Sequence, residues 1–149
     1  MSSQTGLKTM EITLTRTIAA TPDEVFDGWL DPANPGTPWS GTKKLILPQP
    51  PKVDQLFYFL HLMDPDLKLP HFGRFTVIER PAKIQYTWMS WHTQGMESIV
   101  TVTFRAKGDE TLLTLNHANL PDTELGRMHQ KGWEHYAGIF EERFAKAKA

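Results

Sequence analysis

Hydrophobic and polar residues alternate with period two through most of the chain and change to a helical period near its C-terminus. Leu7 to Ile18 opens the pattern: Ile12 and Leu14 stand between Glu11, Thr13 and Arg16 in a run rich in β-branched residues, which predicts a half-buried strand. Thr21-Pro22-Asp23-Glu24 predicts a helix start, with threonine as N-cap, proline at the first helical position and a glutamate placed to close a capping box. Val25, Phe26, Trp29 and Leu30 form the apolar face of that short helix. Asp31-Pro32 ends it, because the residue before proline is pushed out of the helical region. Prolines break Ala33 to Pro51 and leave room for one strand at Thr42 to Leu47. Five further segments, Gln55 to Met63, His71 to Arg80, Lys83 to Trp91, Glu97 to Lys107 and Glu110 to His117, read as an antiparallel meander. Turn residues at Asp64-Pro65-Asp66, Arg80-Pro81-Ala82, Gln94-Gly95 and Lys107-Gly108-Asp109 punctuate it.

The last stretch, Pro121 to Ala147, predicts one long helix. On a helical wheel Leu125, Met128, Gly132, Trp133, Tyr136, Ile139, Phe140 and Phe144 share one half, and Arg127, Gln130, Lys131, Glu134, Glu141 and Glu142 the other. The apolar face also carries His129 near its centre and two aromatics with polar atoms, so its packing partner has to offer hydrogen bonds or enclosed water. Alternation assigns the sheet's inward residues as Ile84, Tyr86 and Trp88, then Val100, Val102 and Phe104, then Leu113, Leu115 and His117. Gln55 to Met63 is apolar on both faces: Phe57, Phe59, His61 and Met63 on one, Leu56, Tyr58, Leu60 and Leu62 on the other. Such a strand is covered on both sides or exposes a strip open to self-association.

At 149 residues the chain is expected to form a single domain, 1–149, around one core. The net charge of −1, with both signs interspersed, argues against nucleic acid, an anionic membrane or a polyanionic partner. With 0 Cys, disulfides, thiolate zinc sites and cysteine nucleophiles are excluded. Met1 to Lys8 is polar and lacks the apolar run of a signal peptide or anchor, so a soluble, cytoplasmic protein is expected.

The six histidines raise the question of a metal, but no closely spaced pair of the H-x-H or H-E-x-x-H type occurs, and neither metal nor cofactor is assigned. No nucleophile elbow, phosphate loop or dinucleotide fingerprint is present, and no catalytic residue is named. Acid-base chemistry would fall to the histidines and Glu97, so the balance is against an enzyme without closing the question. Trp39, alone among turn residues, either plugs the end of the core or lids a pocket. Gly132, inside a helix, marks either a close approach of backbone or room left for something.

Several signatures together carry a resemblance: Arg16; Pro22-Asp23-Glu24-Val25-Phe26 with Trp29 and Asp31-Pro32; His71-Phe72-Gly73-Arg74-Phe75; and Pro81 with Ile84-Gln85-Tyr86-Thr87-Trp88. Thr111-Leu112-Leu113-Thr114-Leu115-Asn116-His117 and His129 with Gly132-Trp133 complete them. The chain resembles the START-like helix-grip superfamily (SRPBCC), and within it the family of the activator of heat-shock-protein ATPase, C-terminal domain, over about residues 9–146. The resemblance implies an α+β fold in which a curved antiparallel sheet of about seven strands wraps the long C-terminal helix, with short helical structure after the first strand. It also implies a cavity between sheet and helix for a small hydrophobic or amphipathic ligand. The cavity residues expected are Trp39, Phe57, Phe59, His61, Phe75, Tyr86, Trp88, Val102, Leu115, His117, His129, Trp133 and Tyr136. The alternatives it carries are a chaperone-associated interaction module of the stress response and a cyclase-like acid-base enzyme; the protein would be a monomer or homodimer. Two departures stand out: Asn34-Pro35-Gly36-Thr37-Pro38 interrupts the second short helix, and Asp54-Gln55 replaces paired glycines before Phe57. Both flank the cavity mouth, so ligand class does not carry over.

Overall fold

The computed structural model describes residues 8–64 and 67–148. A first strand, β1 (Thr9–Ile18), leads into helix α1 (Pro22–Trp29), and β2 (Lys43–Ile46) follows a proline-rich connection. The meander is β3 (Leu56–Asp64), β4 (Leu67–Glu79), β5 (Lys83–Ser90), β6 (Ser98–Lys107) and β7 (Glu110–Pro121), and α2 (Glu124–Lys148) closes the chain. The strands form one seven-stranded antiparallel sheet in the order β1-β7-β6-β5-β4-β3-β2, with α2 packed on its inner face: the helix-grip architecture. Leu7, the expected first residue of β1, and the side chain of Met63 lie outside the described residues.

The local signals act as chemistry requires. Thr21 accepts from the Glu24 amide while the Glu24 carboxylate accepts from the Thr21 amide at 3.2 Å, so two helix-start donors are satisfied at once. Several boundaries differ from expectation, most by one or two residues, and four have a local cause. β4 begins at Leu67 rather than His71, because Pro70 pairs with Leu60 of β3 just beyond the end of β5, whose last residue, Ser90, lies opposite His71; with one neighbouring strand, the missing amide costs no ladder bond. β5 ends at Ser90 rather than Trp91, since Ser90 caps a single 3-10 turn, Trp91–Thr93, with its hydroxyl on the His92 amide at 3.1 Å. β7 continues past His117 because Leu120 and Pro121 still pair with Met10 and Thr9 of β1. α2 therefore starts later than Pro121, with the Thr123 hydroxyl accepting from the Gly126 amide.

Ile84, Tyr86 and Trp88 of β5, Val100, Val102 and Phe104 of β6, and Leu113, Leu115 and His117 of β7 all point inward and are buried. Trp133, Ala137 and Phe140 of α2 meet them. α1 closes one end, Trp29 standing 5.3 Å edge-on from Phe140 and Phe26 5.4 Å from Phe104. Arg80 locks α1 to the β4–β5 turn through two 2.8 Å bonds to Asp27, whose carboxyl they hold below its usual range. β3 is not covered on both sides. Its inner residues Phe57 and Phe59 are buried, whereas Leu56 is 67% exposed and joins Ile46 of β2 and Phe72 of β4 in an uncovered apolar strip.

Candidate functional site

Between the outer half of the sheet and the first turns of α2 lies an open-mouthed pocket of about 130 Å³. Period two brings Phe59 and His61 of β3 to its wall, β4 contributes His71, and β5 contributes Trp88. Helical spacing brings His129, Gly132, Trp133 and Tyr136 together on the opposite wall, with Met128 at the rim, 47% exposed. Pro38 and His92 complete the enclosure.

A rigid hydrogen-bonded relay stands behind this wall. The indole nitrogen of Trp133 donates to His117 Nδ1 at 2.9 Å, His117 Nε2 lies 2.7 Å from Ser98 Oγ, and Ser98 Oγ donates to the Trp88 carbonyl at 2.5 Å. An indole N–H can only donate, so His117 Nδ1 is the acceptor and the imidazole proton sits on Nε2, donating to the serine. Every member is buried, and burial holds His117 neutral by pushing its pKa well below the ordinary value. The relay fixes the rotamer of Trp133 and ties it, through His117 and Ser98, to the backbone of β5 at Trp88.

The pocket imidazoles are oriented in a similar way. His71 Nδ1 sits 3.1 Å from the Leu69 carbonyl and His129 Nδ1 3.0 Å from the Gly126 carbonyl; carbonyls only accept, so both rings carry their proton on Nδ1 and keep Nε2 as an acceptor. His71 stacks on Phe59 at 5.0 Å, and burial lowers its pKa to about 4. Burial likewise lowers His61, His92 and His129, with mutual repulsion adding to it at His61 and His129. The Tyr136 hydroxyl faces His61 at 3.5 Å, and burial raises its pKa. Trp88's indole nitrogen is shut away from solvent without a partner among the described residues, so the polar chemistry open to the pocket is imidazole and phenol. Among the described residues no group of three or more His, Cys, Asp or Glu has the geometry to hold a metal ion.

Of the residues expected at a cavity, Phe59, His61, Trp88, His129, Trp133 and Tyr136 share the pocket wall. Trp39 does not: it is 1% exposed, its indole donates to the Trp29 carbonyl at 2.8 Å, and Phe57 packs edge-on at 5.1 Å, making it a core plug rather than a lid. Phe57, Phe75, Tyr86, Val102 and Leu115 are core, and His117 sits one layer behind the wall. His71, His92, Pro38, Met128 and Gly132 line the pocket although they are not among the expected cavity residues, Gly132 having stood as a candidate for open space. The inward register of His71 opposite Phe59 was the available signal, whereas the 3-10 turn that swings His92 inward left no periodic trace. Gly132 resolves in favour of space: a Cβ built there meets nothing within 4 Å.

Residues 19–145 match the family described as "Activator of Hsp90 ATPase homolog 1-like protein". No curated protein matches the chain in sequence. Among solved structures, the protein CV1439 from Chromobacterium violaceum is similar with a TM-score of 0.74 at 19% identity, covering 90% of this chain and 96% of the other. Mll3558 from Rhizobium loti gives 0.74 at 19%, covering 92% and 98%. PFC0360w, an HSP90 activator from Plasmodium falciparum, gives 0.66 at 24%, covering 85% and 89%.

Proposed function

This chain belongs to the Activator of Hsp90 ATPase homolog 1-like family, and from that premise we propose that it binds a small amphipathic molecule in the pocket between its sheet and α2. The observation that carries this reading is Gly132. A helix-interior glycine costs roughly 0.5–1 kcal/mol against alanine, and here it faces empty space, so packing does not account for it. An aromatic floor of Phe59, Trp88 and Trp133 beneath polar imidazoles matches the usual composition of a small-molecule site. Native mass spectrometry of the protein from its own source should reveal an adduct that disappears on unfolding. A ligand at one hundred times its Kd adds about 2.7 kcal/mol of stability, easily read as a thermal shift. No adduct, together with no shift across a panel of lipids and aromatic metabolites, would end this reading.

A second reading, a chaperone-associated module, is favoured by the strip on the sheet's opposite face, where Ile46 is 61% and Phe72 45% exposed. Leu56→Lys and Phe72→Lys should then abolish capture of a heat-shock ATPase while leaving ligand binding unchanged. If the strip instead pairs two copies of the chain, Leu60→Lys changes the size measured by gel filtration.

A further inference from the structure

The pocket's size and polar inventory restrict what it can hold, on the reading that it is a binding site. An engineered protein cavity of about 150 Å³ takes up benzene, so about 130 Å³ corresponds to one six-membered ring, with any substituent leaving past Met128. The floor rings of Phe59, Trp88 and Trp133 present faces and edges to such a ring. Above them are four imidazoles, His61, His71, His92 and His129, and the Tyr136 hydroxyl, with no lysine, arginine, aspartate or glutamate in the wall among the described residues. His71 and His129 have spent their Nδ1 protons on backbone carbonyls, so their Nε2 atoms ask for a donor from the ligand. A carboxylate brings lone pairs against those of His71 and His129, leaving only the Tyr136 hydroxyl and the N–H groups of His61 and His92 to answer its charge. A cation finds no counter-charge.

We propose that the pocket takes a neutral, single-ring aromatic bearing a hydroxyl, its ring seated on the aromatic floor and its hydroxyl donating to the Nε2 of His71 or His129. The class is that of phenols. Long acyl chains exceed the volume, and bare hydrocarbons leave the imidazole acceptors unpaired, a loss that sites built for a hydroxyl penalise heavily.

The test is calorimetric titration of the intact chain near neutral pH with 4-methylphenol, toluene and 4-methylbenzoate. The expected order is 4-methylphenol tighter than toluene by about tenfold or more, the scale of one to two net hydrogen bonds, with 4-methylbenzoate weakest. His71→Phe and His129→Phe retain an aromatic ring and remove an acceptor, and at least one should pull the phenol-to-toluene ratio toward unity. Because the readout is a ratio within each protein, a modest loss of stability does not disturb it. Toluene equal to 4-methylphenol, 4-methylbenzoate tightest, or a ratio unchanged in both variants overturns the hydroxy-aromatic assignment while leaving an amphipathic pocket standing. Binding of a long-chain amphiphile with none of the three probes does the same. Failure of every probe and of the wider panel overturns both.

Discussion

Gly132→Ala separates two quantities that core substitutions usually change together. The added methyl enters open space on the pocket side of α2, and no backbone strain opposes it. Replacing an unstrained helical glycine by alanine stabilises by roughly 0.5–1 kcal/mol, through helix propensity and a less free unfolded chain. For a chain of this length that raises Tm by about 1–4 °C. Gly138, six residues further along α2, also has nothing within 4 Å of a built Cβ but does not line the pocket, so Gly138→Ala should give the same gain and serves as the control. The two diverge only in binding: Gly132→Ala should weaken whatever occupies the pocket, and Gly132→Leu, whose branch reaches across to the aromatic floor, should abolish it. Differential scanning calorimetry with and without ligand reads both effects. Should Gly132→Leu bind ligand like the parent, or Gly132→Ala lose stability, the space beside Gly132 is not the binding volume and the reasoning fails.

Three further outcomes follow from the same geometry. His71 titrates near its ordinary 6.5 when unfolded and near 4 when folded, so the unfolded state binds more protons between those values; its contribution is present above pH 6.5 and lost as pH falls toward 4, by up to about 3 kcal/mol. Urea midpoints measured across that window should fall steeply, and His71→Phe should flatten the slope. Ser98→Ala orphans the His117 Nε2 proton in a buried site and removes the hydroxyl donor of the Trp88 carbonyl, which should cost roughly 1–3 kcal/mol in chemical denaturation. Gly126→Ala drives a methyl into the Pro121 carbonyl and should destabilise where Gly132→Ala stabilises, so a shared sign for the two would refute the glycine assignments.

Alternation alone placed the inward residues of β5, β6 and β7, because a sheet with one packed face writes its register into the sequence. The start of β4, four residues before the expected His71, is set by topology instead: Pro70 sits inside the strand because a proline breaks a strand only where both edges need hydrogen bonds, and which edge is free does not show in the alternation. The pocket was half legible for a similar reason. Phe59, His61 and Trp88 follow from strand parity, and His129, Trp133 and Tyr136 from helical spacing. Trp39 was not decidable, because plug and lid differ only in what the indole nitrogen meets, here the Trp29 carbonyl. His92 enters from a turn whose cap geometry, Ser90 with Thr93, has meaning only once β5 has stopped.

β3 carries both functional readings on one backbone. Phe57, Phe59 and His61 face the core and pocket, while Leu56 and Leu62 face outward on the same strand. Because side chains alternate, a charge placed at Leu56 cannot reach the pocket, and a filled pocket at Gly132 cannot reach the outer strip. The inner wall is further isolated by the relay that runs from the Trp133 indole through His117 and Ser98 to the Trp88 carbonyl, which holds Trp133 against rotamer change. The two surfaces are therefore independent in the mutational sense: additivity is expected between Leu56→Lys and Gly132→Leu, within about 0.5 kcal/mol. A measured coupling larger than that would mean that β3 moves as the pocket fills, making the outer strip a reporter of the inner site.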